Sequence, residues 1–169
     1  MKENIIIKQA SMKDWRAFKK IRLDALMNNP ESFGSSYEEE ANKEDKKWKE
    51  KFKDTNRIVF IAFNHKLPIG VALVSYESAE RFKHLAHMYS VYIKKEFRGK
   101  GISNLLIKSI MLSIKRRKNI KKIKLNVVKQ QIQAINLYKK FGFKIIGELK
   151  KEMKIKNKYY DEYLMERLL

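Results

Sequence analysis

Apolar and polar positions alternate with a period that changes several times along the chain. Ile5-Ile6-Ile7 is a compact apolar run and reads as a first strand. From Trp15 the period lengthens. Trp15, Phe18, Ile21, Arg22, Ala25 and Leu26 recur near helical spacing, predicting a helix to about Met27 with one largely apolar face. Ser11-Met12-Lys13-Asp14 precedes it as a capping box, and Asn28-Asn29-Pro30 stops it. Ser36, with Glu39 three residues on, predicts a second, more polar helix that contains Trp48 and Phe52. Residues 57–63 and 69–76, joined through Asn64-His65-Lys66, read as a strand hairpin, and 85–93 as a further strand. After Arg98-Gly99-Lys100-Gly101 the helical period returns with Ile102, Leu105, Leu106, Ser109, Ile110 and Leu112. Residues 122–128 follow as strand, 132–141 as helix, and 143–148 and 159–168 as strands, with Pro30 and Pro68 both assigned to turns. The order β-α-α-β-β-β-α-β-α-β-β predicts a mixed α/β domain with helices packed on a central sheet.

A length of 169 residues fits one domain, 1–169, with a core that needs no metal or disulfide; no repeat or linker interrupts it. The absence of cysteine excludes disulfides, thiolate-bound zinc and a thiol nucleophile, and no metal is expected. The apolar run near the amino terminus is too short for a signal peptide or a membrane span, so a cytoplasmic protein that engages no membrane is expected. The formal charge of +20 raises nucleic acid as a partner. The basic residues are nevertheless spread from Lys2 to Lys158, lysine far outnumbers arginine, and the densest run, residues 115–118, falls at an expected helix end where cations are favoured. The charge therefore reads as solvated surface that favours anionic ligands rather than as a nucleic-acid patch.

The most informative segment runs from His87 to Leu106: a strand, a short basic turn with two glycines, then a helix. That arrangement aims unpaired amide N–H groups and the positive end of a helix at one spot, which suits a diphosphate. Glycine lets the backbone approach closely and adopt turn dihedrals that a Cβ forbids. Arg98 and Lys100 add positive charge at the rim. A plain strand-to-helix connection stays open beside anion binding on this segment alone. No Gly-Lys-Ser/Thr follows, and the third glycine of a dinucleotide fingerprint is missing.

The segment resembles the signature of the GNAT superfamily of acyl-CoA N-acyltransferases, Arg/Gln-x-x-Gly-x-Gly/Ala, with Arg98, Gly101 and Ser103 at the matching positions; Ser103 departs from glycine or alanine. Residues 134–143, Ala-Ile-Asn-Leu-Tyr-Lys-Lys-Phe-Gly-Phe, are similar to the family's second block, Ala-x-x-Leu-Tyr-x-x-x-Gly-Phe. Residues 22–38 resemble the substrate-side helices of many bacterial members, and 159–165 their closing strand. The resemblance implies a central sheet of six to seven strands, splayed in the middle and flanked by about four helices.

It also implies acetyl-CoA as cosubstrate. Val91 and Ile93 would offer backbone groups to the pantetheine arm. Arg98, Gly99, Lys100, Gly101, Ile102 and Ser103 would hold the diphosphate, and Gln131 stands where the family usually has an asparagine. The backbone N–H near Val91 or Tyr92 would polarise the carbonyl, and Tyr138 would protonate the departing thiolate. No carboxylate lies between Lys83 and Lys95, so His87, with His84 beside it, is the candidate base. Glu38, Glu39 and Glu40 are helix-start acids or a site for a cationic amine. Three functions stay open: acetylation of a small amine such as a polyamine, amino acid or aminoglycoside-like compound; acetylation of a protein amino terminus or lysine; and non-catalytic binding of coenzyme A or nucleic acid. Homodimers are frequent in the family.

Overall fold

A computed structural model describes residues 4–169. In chain order the elements are β1 Ile5–Gln9, α1 Trp15–Asn28, α2 Tyr37–Ala41, α3 Asp45–Glu50, β2 Arg57–Asn64, β3 Leu67–Tyr76, β4 Leu85–Ile93, α4 Ile102–Lys115, β5 Lys122–Val128, α5 Ile132–Lys140, β6 Lys144–Ile155 and β7 Lys158–Leu168. The seven strands form one open sheet in the order β1-β2-β3-β4-β5-β7-β6. All neighbours are antiparallel except β4 and β5, which run parallel because α4 carries the chain back across the sheet between them.

Strand alternation feeds two cores, one on each face. Phe60 and Ala62 of β2 pack with the α4 stripe Ile102, Leu106, Ile107, Ile110 and Ile114. Val59 and Ile61 point the other way, toward Trp15, Phe18, Ile21, Ala25 and Leu26 of α1 and toward Trp48. Each fully buried Val, Leu, Ile or Phe side chain among them contributes about 1.5–3 kcal/mol. The predicted α1 face is the buried one, Arg22 included. In α4 the expected face is partly displaced: Leu105 and Leu112 are exposed, and Ile107, Met111 and Ile114 are buried. Apolar residues surround most of that helix, so periodicity alone selects its buried side poorly.

Three expectations are corrected. The segment 36–52 is two helices rather than one. Ser36 and Glu39 cap α2 reciprocally, but α2 ends at Ala41, and Phe52 lies beyond α3. The bend lets Lys51 reach the buried Glu40 at 2.7 Å, whereas in a continuous helix eleven residues rise about 16 Å. Pro68 lies inside β3, opposite Phe63 at a bulge, and the tight turn is His65-Lys66. Strand β6 extends to Ile155. Its outer half sets Met153 and Ile155 among Lys150, Lys151, Glu152 and Lys154, a lysine-rich composition that suits an edge strand and leaves too short an apolar alternation to read.

Candidate active site

The site begins with a bulge in β4. Pairing with β3 shifts from Leu73↔Tyr89 to Val71↔Tyr92, so β4 carries one extra residue there. Ser90 sits in the bulge with φ 56°, a left-handed conformation. On its other edge β4 pairs with β5 only through Leu85, Ala86 and His87. Beyond His87 the two parallel strands part, and three residues separate the end of β5 from the start of α5.

The parted strands open into two adjoining cavities. The larger, about 830 Å³, runs along Val91 and Ile93 to the turn at Gly99 and Gly101 and is walled opposite by α5. The smaller, about 390 Å³, lies toward α1 and is walled by Arg22, Ser35, Ser90, Asn126 and Glu162. Ser32, Val91, Gln131 and Tyr138 line both, so they mark the junction.

At the far end of the larger cavity, Gly99 and Gly101 adopt φ 78° and 76°, and space is open where a Cβ would stand on either. The first intrahelical bond of α4 is Leu105 N–H to Gly101 O, at 3.3 Å. The amides of Ile102, Ser103 and Asn104 therefore meet no acceptor among the described residues. With the helix dipole behind them, these donors form an anion cradle. Arg98 braces the turn, its Nε donating to Ile93 O at 3.0 Å and its Nη2 to Asn29 Oδ1 at 2.6 Å.

Tyr138 is buried on α5, edge-on to Phe143 with ring centroids 6.1 Å apart. Burial pushes its phenol well above the usual tyrosine range, so the hydroxyl keeps its proton at neutral pH. That hydroxyl has no hydrogen-bond partner among the described residues. Tyr92 differs. Its ring turns away to the α1 core, and its hydroxyl donates to Asp24 Oδ2 at 2.7 Å. Burial first, then the Asp24 hydrogen bond, push its pKa up.

The geometry groups most of the sequence candidates and separates others. Val91, Tyr92, Ile93, Arg98, Gly99, Gly101, Ile102, Ser103, Gln131 and Tyr138 all line the larger cavity. The Gln131 side-chain amide already donates to Ser32 Oγ. Lys100 does not line the cavity; its ammonium lies 5.2 Å from the Phe97 ring centroid. His87 is placed away from both cavities, where β4 still pairs with β5. Its Nε2 lies 3.0 Å from Glu77 Oε1 without the alignment of a hydrogen bond. His84 precedes β4, and its carbonyl accepts from Lys121 and Lys122. Of the three helix-start acids, Glu39 caps α2, Glu40 is buried against Lys43 and Lys51, and none lines either cavity. The carboxylate that does line the smaller cavity is Glu162, which accepts from Asn126 Nδ2 at 3.1 Å. It lies in the closing strand, and register against β5 is what turns it inward: Val128 stands opposite.

The family follows from the whole chain. A model described as an acetyltransferase (GNAT) domain matches residues 7–164. The chain belongs to the GNAT acetyltransferase family. It is an acetyl-CoA-dependent N-acetyltransferase that acts on an amine. It is 24% identical over 165 residues, 97% of this chain and 98% of the relative, to the L-amino acid N-acetyltransferase AaaT of Escherichia coli strain K12. Over 83 residues it is 35% identical to an N-alpha-acetyltransferase of Sulfurisphaera tokodaii, 47% of this chain and 46% of that one. Its fold is similar to that of yncA from Salmonella typhimurium, solved with its cofactor acetyl-CoA. The TM-score is 0.80 at 19% identity, covering 98% and 94% of the two chains. The bulged, splayed sheet is thus the GNAT fold that residues 98–103 and 134–143 resemble.

Proposed function

We propose that this GNAT protein acetylates a small-molecule amine by direct attack, with the donor thioester at the junction of the two cavities. The observation that carries the proposal is Tyr138: a protonated, unpartnered hydroxyl at the point where the cavities meet. The donor supplies an activated acetyl group. The unpaired amides of residues 102–104 bind its diphosphate, and the exposed edge of β4 around Val91 orients its arm. A main-chain N–H of Val91 or Tyr92 donates to the thioester oxygen as charge develops on it. The amine occupies the smaller cavity, where Glu162 takes up its proton. Tyr138 then donates to the departing sulfur, and with no cysteine in the chain direct transfer needs no thiol-linked intermediate.

The smaller cavity supports a compact acceptor over a protein one, because about 390 Å³ walled by α1, residues 32–35 and β7 suits a metabolite-sized ligand. The test is release of free coenzyme A from acetyl-CoA across a panel of amino acids, polyamines, aminoglycosides and peptides. Turnover of a small amine is expected. Turnover of peptides alone would overturn the small-molecule assignment, and no turnover with no binding of acetyl-CoA would overturn the transferase mechanism.

A further inference from the structure

The smaller cavity holds a cation that no carboxylate of its walls pairs directly. Arg22 projects from α1 into it and is only 8% exposed. Its guanidinium is held by hydroxyls: Nη1 donates to Ser90 Oγ at 3.0 Å and Nη2 reaches Ser35 Oγ at 3.5 Å, while the plane lies 4.7 Å from the Phe33 ring centroid. No carboxylate among the described residues comes within ion-pair distance of it. Glu40 is the nearby anion, but its two oxygens are already taken, Oε1 by Lys43 at 3.0 Å and Oε2 by Lys51 at 2.7 Å. Lys43 and Lys51 thus occupy the nearby carboxylate, and Arg22, which lines the cavity, has no ion-pair partner among the described residues. Burial draws its pKa down, although Glu40 and then Tyr89 pull the other way. A guanidinium has five donors in a planar fork matched to a carboxylate, and a buried charge without a counter-ion is costly. Across the same cavity stands Glu162, a group of opposite sign suited to an ammonium or to the proton it loses.

We infer that the acceptor is an amine that also carries a carboxylate, in its simplest form an α-amino acid, with Arg22 binding the carboxylate and Glu162 facing the amine. The inference rests on the small-molecule transferase reading and narrows its substrate class. A polyamine would bring only positive charge against Arg22, and a peptide amino terminus offers an amide where the carboxylate should be, so both are selected against.

The test compares matched pairs: each L-amino acid and the amine left by removing its carboxylate, with spermidine and an amidated peptide alongside. Coenzyme A release gives kcat/KM for each. The wild-type protein should prefer at least one amino acid over its decarboxylated partner about 10- to 100-fold, the range expected for a charge-assisted pair. In Arg22→Gln that ratio should collapse toward one. Because the ratio is taken within one preparation, a loss of folded protein cancels, and thermal melting of the variant checks folding directly. Calorimetric titration of the preferred amino acid into the coenzyme A-loaded protein should show binding that Arg22→Gln loses. Equal or better turnover of spermidine, the amidated peptide or the decarboxylated amines would overturn the inference and leave the transferase standing. A wild-type ratio that survives in Arg22→Gln would overturn it equally. Failure of the protein to bind acetyl-CoA would remove the transferase reading and this inference together.

Discussion

At the residue scale two polar side chains carry different expectations, Tyr138 at the junction of the cavities and Glu162 in the smaller one. Tyr138 is buried against Phe143 and keeps its proton, so Tyr138→Phe removes a donor while leaving the packed ring in place. The expected result is a fall in kcat of about 10²–10⁴-fold, the usual worth of positioned proton transfer, with KM for acetyl-CoA little changed. Steady-state kinetics read both numbers; an unchanged kcat would leave Tyr138 as a packing residue only. Glu162→Gln should lower kcat/KM for the amine at neutral pH over a similar range and recover part of it as pH rises, because the free amine then needs less help losing its proton. A pH profile parallel to that of the wild type would count against Glu162 as proton acceptor. Tyr138 was legible in the sequence through its place in the second family block. Glu162 was not, because only the register of β7 against β5 turns it toward the cavity. Arg22 was written in the sequence as a charged residue within an apolar helical stripe, but its significance required the bulge at Ser90 that it touches.

At the scale of elements the informative features are interruptions. Periodicity located β4 and β5 at their observed ends, yet nothing in it marks the bulge at Ser90, where one extra residue bends β4 away from β5 and opens the cleft. The same holds for the break between α2 and α3. There the sequence pattern continues as a helix, and a tertiary contact, Glu40 with Lys43 and Lys51, favours the bend. Burial opposes the ionised Glu40, but hydrogen bonds and charge attraction from Lys51 and Lys43 outweigh it, leaving its pKa lowered. A carboxylate lowered in the folded state adds stability above its unfolded pKa and loses that contribution as pH falls through the folded value. Glu40→Gln should therefore cost roughly 1–3 kcal/mol at pH 7 by leaving the partly buried Lys51 poorly compensated, and the difference from the wild type should shrink toward pH 3. Urea unfolding at the two pH values measures it; a difference independent of pH would mean that the charge plays no part.

At the scale of the molecule, an open seven-stranded sheet with a core on each face holds the two strands where they part, and the cleft between them is the consequence of that architecture. The net charge of +20 surrounds this cleft with a field that favours a polyanionic donor, and the helix start of α4 concentrates that preference at residues 102–104. The mixed α/β class, the glycine turn and the order of elements, apart from the split into α2 and α3, were readable because each depends on local pattern. The smaller cavity was not, because it is assembled from α1, residues 32–35, β4, β5 and β7, which are far apart in the chain. The most direct measurement is calorimetric: titrate the protein with acetyl-CoA and with S-acetyl-pantetheine, which keeps the thioester and arm but lacks the diphosphate and the nucleotide beyond it. Acetyl-CoA should bind at least about 100-fold more tightly, as expected for several charge-assisted main-chain hydrogen bonds at a helix start. Equal affinities for the two compounds would contradict it.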